Sequence, residues 1–193
     1  MKDRSIIVCF IIFLINFIMI SCQSLSYDQK TIDVNGMVYD FSNRPVFNCE
    51  IIIGDNYRTS TDINGRFTLS RIPIGDYTIS GHKKGFESYF DLISVKERGQ
   101  IVYLRIPSQN QLLIILDESL SLNELSIAAE IAERAYKIDS NNLEMLFYYA
   151  ILKFKQKEYE EAIDYLEKAI TLGFKDYYVY KFLTILKEIQ YEN

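Results

Sequence analysis

From residue 31 onward the spacing of apolar residues changes once, at Pro107, and the change limits what can fold on either side of it. Before Pro107 the period is two. In TIDVNGMVYD, residues 31–40, Ile32, Val34, Gly36 and Val38 alternate with other positions. Such alternation puts one set of side chains on a single face of a β-strand. Further short runs follow: CEIII (49–53), YRTST (57–61), RFTLS (66–70), DYTIS (76–80), ESYFDLISV (87–95) and QIVYLRI (100–106). Glycine, proline and Asx residues separate them, as in Asn43-Arg44-Pro45, Gly54-Asp55-Asn56 and Asp62-Ile63-Asn64-Gly65. Seven short strands predict a seven-stranded antiparallel β-sandwich over residues 31–107. After Pro107 apolar residues recur at three and four. Five helices are predicted there, at 111–120, 124–138, 142–156, 159–172 and 177–190. The fold class is therefore α+β and multidomain, with the sandwich followed by an all-α helical array over residues 110–193.

The start of the chain belongs to neither pattern. Residues 1–4 carry Lys2 and Arg4, and residues 5–20 are apolar apart from Ser5 and Asn16. A charged start, a short apolar run and a small residue at its exit form the layout of a secretory signal, shorter than a membrane span of about 20 residues. The run ends in Met19-Ile20-Ser21-Cys22, which resembles the bacterial lipobox. The resemblance implies cleavage after Ser21, diacylglycerol on the Cys22 sulfur and an acyl chain on the new amino terminus. Residues 1–21 are then a lipoprotein signal peptide and 22–30 a polar tether. The expected location is the cell envelope, on a bacterial membrane. Each buried methylene contributes about 0.8 kcal/mol, so several chains hold where one is marginal.

Charge is uneven. Residues 22–108 carry 10 acidic and 10 basic side chains, and residues 109–193 carry 15 and 9. A neutral half joined to an acidic one argues against nucleic-acid binding, which normally shows as a basic patch or stripe. It also argues against simple attraction to anionic lipid. Of three cysteines, Cys9 lies in the expected signal, and if Cys22 is lipidated as the resemblance implies, Cys49 has no disulfide partner in the mature chain.

Within the sandwich, GMVYDFSNRPVFNCEIII and TSTDINGRFTLSRIPIGDYTISGHKKGF resemble the carboxypeptidase regulatory-like domain, a transthyretin-like β-sandwich. The matching positions are Gly36, Val38, Pro45, Cys49, Thr61, Asp62, Gly65, Phe67, Pro73, Gly75, Tyr77, Gly85 and Phe86. Asp62 is expected to cap its turn, and Cys49 to fill the core rather than act as a nucleophile. The Asp62-Ile63-Asn64-Gly65 stretch reads as a hairpin turn, since a calcium loop needs further oxygen ligands beyond an early glycine.

In the helical half, Ala128 and Ala135 recur 34 residues later as Ala162 and Ala169. The block LFYYAILKFKQKEYEEAIDYLEKAITLGF resembles a tetratricopeptide repeat, through Leu146, Tyr149, Ala150, Tyr159, Ala162, Leu166 and Ala169. Lys153 and Phe174 depart from the pattern. Two repeats and a closing helix fall short of the three units that usually bury a continuous core, so extra burial is expected from the sandwich, a second copy or a partner. By the resemblance, Glu144, Phe147, Ile151, Phe154, Lys155, Tyr178, Lys181, Ile185 and Ile189 line a concave face. The expectation is that this apolar lining packs on another part of the same chain. The alternative is a groove for a peptide or helix, with Phe147, Ile151, Phe154, Lys155, Tyr178, Lys181 and Ile185 as candidate partner-binding residues.

No complete catalytic constellation stands out. His82 is the single histidine, Glu160 and Glu161 diverge on a helix, and the glycines are dispersed over turns. No metal or other cofactor is expected. The function expected is a non-enzymatic, membrane-anchored scaffold whose helical half binds a protein partner or itself. The alternative is a carbohydrate- or cell-wall-binding accessory protein, for which Tyr57, Tyr89 or Tyr103 would form a planar row on the sandwich.

Overall fold

The computed structural model describes residues 30–192. The candidate signal peptide (1–21), Cys22 and the tether up to residue 29 lie outside the described residues. Seven strands come first: β1 (Thr31–Tyr39), β2 (Glu50–Ile53), β3 (Tyr57–Ser60), β4 (Arg66–Pro73), β5 (Gly75–His82), β6 (Tyr89–Val95) and β7 (Ile101–Arg105). Five helices follow: α1 (Gln109–Ser121), α2 (Leu125–Ile138), α3 (Leu143–Lys155), α4 (Tyr159–Thr171) and α5 (Tyr177–Glu192). Strands and helices belong to one compact unit. Among the described residues, no helix is long and apolar enough to cross a membrane.

The strands form two sheets, ordered β4-β1-β7 and β3-β2-β5-β6. Their inner faces share one core, in which Val38, Ile51, Ile53, Ile72 and Ile79 are fully buried. The expectation of a wholly antiparallel sandwich is corrected at one pair. β7 runs parallel to β1, from Asn35↔Ile101 to Tyr39↔Arg105. The chain leaves β6 in one sheet and enters β7 in the other, beside the free edge of β1 and in the same direction. A consequence is polarity. The chain enters β1 at Thr31, beside Pro73, and leaves β7 at Arg105, beside the far end of β1. Nine strand residues, about 30 Å, separate the two points.

The residues that carry the sequence motif lock together. A Cβ on Gly36 would sit 2.2 Å from the Phe67 ring and 2.6 Å from the Val102 carbonyl, so Phe67 can lie flat across β1 only over glycine. Gly65 has φ +73°, and a Cβ there would meet the Val38 carbonyl at 2.5 Å. The Asp62 carboxylate accepts from the Asn64 and Arg66 N–H groups, both at 2.8 Å, which closes the hairpin. Thr61 Oγ1 donates to the Val46 carbonyl and accepts from the Cys49 N–H. Tyr77 Oη donates to the Pro73 carbonyl at 2.9 Å across the turn. Cys49 is fully buried, and burial pushes its thiol up to about 11.

Helix ends repeat with the sequence. Asn123 (φ 59°) and Lys157 (φ 67°), 34 positions apart, are both left-handed residues just past a helix. Their N–H groups donate to Leu120 and Phe154, and the next residues, Glu124 and Glu158, donate back to Ser119 and Lys153. Ala128, Ala135, Ala162 and Ala169 are all fully buried where helices approach.

Three residues join β7 to α1, and all are held. Ile106 N–H donates to the Tyr39 carbonyl, and Pro107 accepts from Glu87 N–H. Ser108 caps α1 in a reciprocal pair with Gln111. Gln111 Nε2 donates to Ser42 in the sandwich, and Gln109 Nε2 to the Ala135 and Asp139 carbonyls at the end of α2. Arg134 of α2 clasps Glu87 with two bonds, at 2.9 and 2.8 Å.

Asp40 lies at this same end of the sandwich. Burial alone would raise its carboxyl. Hydrogen bonds from the Arg44 backbone and side chain and from Ser42 N–H outweigh that and hold it below the ordinary value of 3.8. Its contribution to stability is therefore complete above that value and is lost as pH falls through the lower folded-state value. Urea unfolding of the wild type between pH 6 and pH 2 is expected to show this loss, and Asp40→Asn to show a smaller one. Gly36→Ala is expected to destabilise by about 1–3 kcal/mol through overpacking against Phe67, a cost that Phe67→Leu partly relieves.

Candidate functional site: a groove between two helices

Helix α3 carries Phe147, Ile151, Phe154 and Lys155 at spacings of four, three and one, which share a helix face. Met145, Leu146, Ala150 and Leu152 are buried in the helical core. Helix α5 buries Val179 and Leu186 and turns Tyr178, Lys181 and Ile185 outward. The two outward faces form a groove of about 450 Å3, lined by Phe147, Ile151, Phe154, Lys155, Tyr178, Lys181, Phe182 and Ile185. All seven candidate residues named from the sequence meet there. Glu144 and Ile189 do not line it.

Phe182 is the residue that sequence reasoning missed. It forms the floor, with its ring edge-to-face against Phe154 at 5.5 Å and Phe147 at 6.3 Å. The signal was present, since Tyr178, Phe182 and Ile185 are spaced four and three apart, as a helical stripe requires. Tyr178 is 70% exposed and Ile185 41%. The groove opens beside cations. Lys155 and Lys181 stand on its walls, while Lys153 on α3 is bound by Glu158 and Glu161.

The expectation that this lining packs on another part of the chain is not met among the described residues. The lining comes from α3 and α5 alone, and the sandwich engages α1 and α2 instead. The physical reason is the short connection after β7, which ties the sandwich to the first helices and keeps it from reaching the last.

The tyrosines suggested for sugar stacking do not form a row. Tyr57 and Tyr89 are half-buried against the sandwich core, from strands at opposite edges of one sheet. Tyr57 sits edge-to-face with Tyr77, and Tyr89 Oη donates to Asp91. Tyr103 is 62% exposed on the other sheet. His82 lies 3.2 Å from Ser88 Oγ and edge-to-face with Phe90. Among the described residues no three His, Cys, Asp or Glu side chains gather as metal ligands.

No protein-family model matches this sequence, and no curated protein matches it. Several solved structures do. One is a type II cohesin–X-dockerin complex from Acetivibrio cellulolyticus (16% identical, covering 40% of this chain and 58% of that chain, TM-score 0.36). Another is catechol 1,2-dioxygenase from Acinetobacter (9%, 45% and 55%, 0.36). A third is a putative carbohydrate binding protein from Pseudomonas aeruginosa (17%, 42% and 92%, 0.33). The chain spans less than two thirds of the first two. Likeness of this degree says nothing about what this chain binds.

Two neighbouring residues separate groove from core. Ile185→Asp is expected to change stability by no more than about 0.5 kcal/mol and to abolish binding of an apolar fluorescent dye to the groove. Leu186→Ala, at a fully buried position, is expected to cost about 2–5 kcal/mol in chemical denaturation.

Proposed function

We propose that this chain is a lipid-anchored, non-catalytic envelope protein that docks a partner protein in the groove between α3 and α5. In this reading the helical half is a short tetratricopeptide-like array, and the sandwich is a transthyretin-like spacer of the carboxypeptidase regulatory-like kind. The observation that carries the reading is the groove itself. It is apolar along its floor, open to solvent, and lined by faces that the rest of the described chain leaves uncovered. An amphipathic helix fits such a surface, with apolar anchors at spacings of three and four. Lys155 and Lys181 on the walls favour acidic residues flanking those anchors.

The polarity of the sandwich supports the anchoring role. A tether of nine residues from Cys22 to Thr31 reaches at most about 30 Å, and β1 adds a similar length before the helices begin. Lengths of that order would let the helices stand clear of the bilayer. A binding rather than a chemical role is supported by Cys49, whose thiol is buried and raised, and by His82, which is engaged with Ser88 and Phe90. For the sugar-binding alternative, Tyr57, Tyr89 and Tyr103 do not supply the stacking row, so that reading would need another site.

Photo-crosslinkers at Ile151 and Tyr178 of the full chain in its native membrane test the docking role. The expected product joins this chain to a segment with an apolar helical face and acidic flanks. A covalent homodimer would make the occupant a second copy. Mass spectrometry of the amino-terminal peptide tests the anchor. Acylated Cys22 is expected, and a bare thiol there would sink the lipid-anchored reading.

A further inference from the structure

A second concave site lies where the sandwich meets α2. The β5–β6 connection brings His82, Lys83, Lys84, Phe86 and Ser88 to one side, and α2 brings Arg134, Lys137 and Ile138 to the other. Together with Glu87 and Phe90 they enclose about 500 Å3, the size of a small-ligand site. The lining holds four cations and one carboxylate, in a chain whose helical half has six more acidic than basic residues.

The charges are placed rather than scattered. Glu87 is consumed by its two bonds to Arg134, so the one acid of the lining is neutralised and the guanidinium is held in place. Lys83 Nζ donates to the Phe47 carbonyl and lies over the Phe86 ring at 5.4 Å. Lys137 has Glu133 at 2.7 Å on its own helix, and Glu130 stands 3.9 Å from Arg134, both toward the solvent side of α2. Those two acids and Glu87, set against four cations, leave the cleft one net positive charge, with Lys83 and Lys84 the cations that pair with no carboxylate among the described residues. Phe90 adds a ring that is 70% exposed, braced edge-to-face by His82 at 5.2 Å. Ser88 and His82 supply hydroxyl and imidazole groups for neutral polar contacts.

We propose that this junction cleft binds an anionic saccharide, its carboxylate or phosphate held by Lys84 and by the N–H groups that Lys137 and Arg134 keep beyond their carboxylate partners, and its ring face laid on Phe90. A sugar acid matches each part of the lining: one anionic group for the cations, an apolar ring face for Phe90, and hydroxyls for Ser88 and His82. The cleft is closed on two sides by the sandwich and α2, which suits a short glycan better than an extended peptide. Because each wall comes from a different half of the molecule, the site exists only while the two halves stay docked.

Titration calorimetry of the full chain in detergent micelles tests this, with galacturonate oligomers, their neutral methyl esters, a sugar phosphate, inorganic phosphate and a hexaglutamate peptide as probes. Binding of the galacturonate or the sugar phosphate is expected, with at least about tenfold weaker binding of the methyl ester and of phosphate alone. The two acidic sugars distinguish a carboxylate from a phosphate ligand. Lys84→Glu with Lys137→Glu, both at exposed positions, is expected to lower affinity about tenfold or more with unchanged circular dichroism, and Phe90→Ser to lower it independently. Equal binding of acid and ester, tighter binding of hexaglutamate, binding indifferent to all three substitutions, or no binding of any probe would overturn the proposal. Ile185→Asp in the helical groove is expected to leave sugar binding unchanged, which keeps this site distinct from the docking groove.

Discussion

The connection between β7 and α1 has no slack, and the arrangement of the two halves depends on it. Only Ile106, Pro107 and Ser108 lie between strand and helix, and each is used. Ile106 extends the ladder to Tyr39, Pro107 receives Glu87, and Ser108 caps the helix. A connection of this length cannot let the helices swing, because any rotation would break backbone hydrogen bonds whose groups are partly removed from water. Gln109 and Gln111, both nearly buried, then fasten α1 to α2 and to the sandwich. The Glu87–Arg134 pair closes the same seam from the side.

That seam explains which surfaces are free. The sandwich spends its far end on α1 and α2, so among the described residues nothing covers one face of α3 and α5. A short helical array normally lacks the burial to leave an apolar face open. Here the first helices gain cover from the sandwich through a few polar bonds, and the apolar cores of the two halves remain separate. The open groove on α3 and α5 and the cationic cleft at the seam are both products of where that cover ends.

Much of the local structure could be read along the chain. Alternation at Ile32, Val34 and Val38 marked β1, and the 34-residue return of Ala128 and Ala135 marked paired helices, because side-chain period and helix contact are local consequences of backbone geometry. Within the turns, Asp62 and Gly65 could be read for the same reason. The groove residues were also legible, except Phe182, which shares their stripe but has its ring turned inward to make the floor. The parallel pairing of β1 with β7 was not legible. Both strands show the same alternation whichever way they run, and direction is set by which sheet the chain crosses into.

By itself the sequence determined the number and kind of elements, the place where strands give way to helices, and which faces of those elements are apolar, since each follows from residue spacing over a few turns. Only the tertiary structure decided which of those faces are covered. Glu87 meets Arg134 across 47 positions, and Lys84 comes to share a cleft with Lys137 across a greater distance in the chain. No periodicity encodes such meetings. They depend on the short, fully bonded link that fixes how one half of the molecule sits on the other.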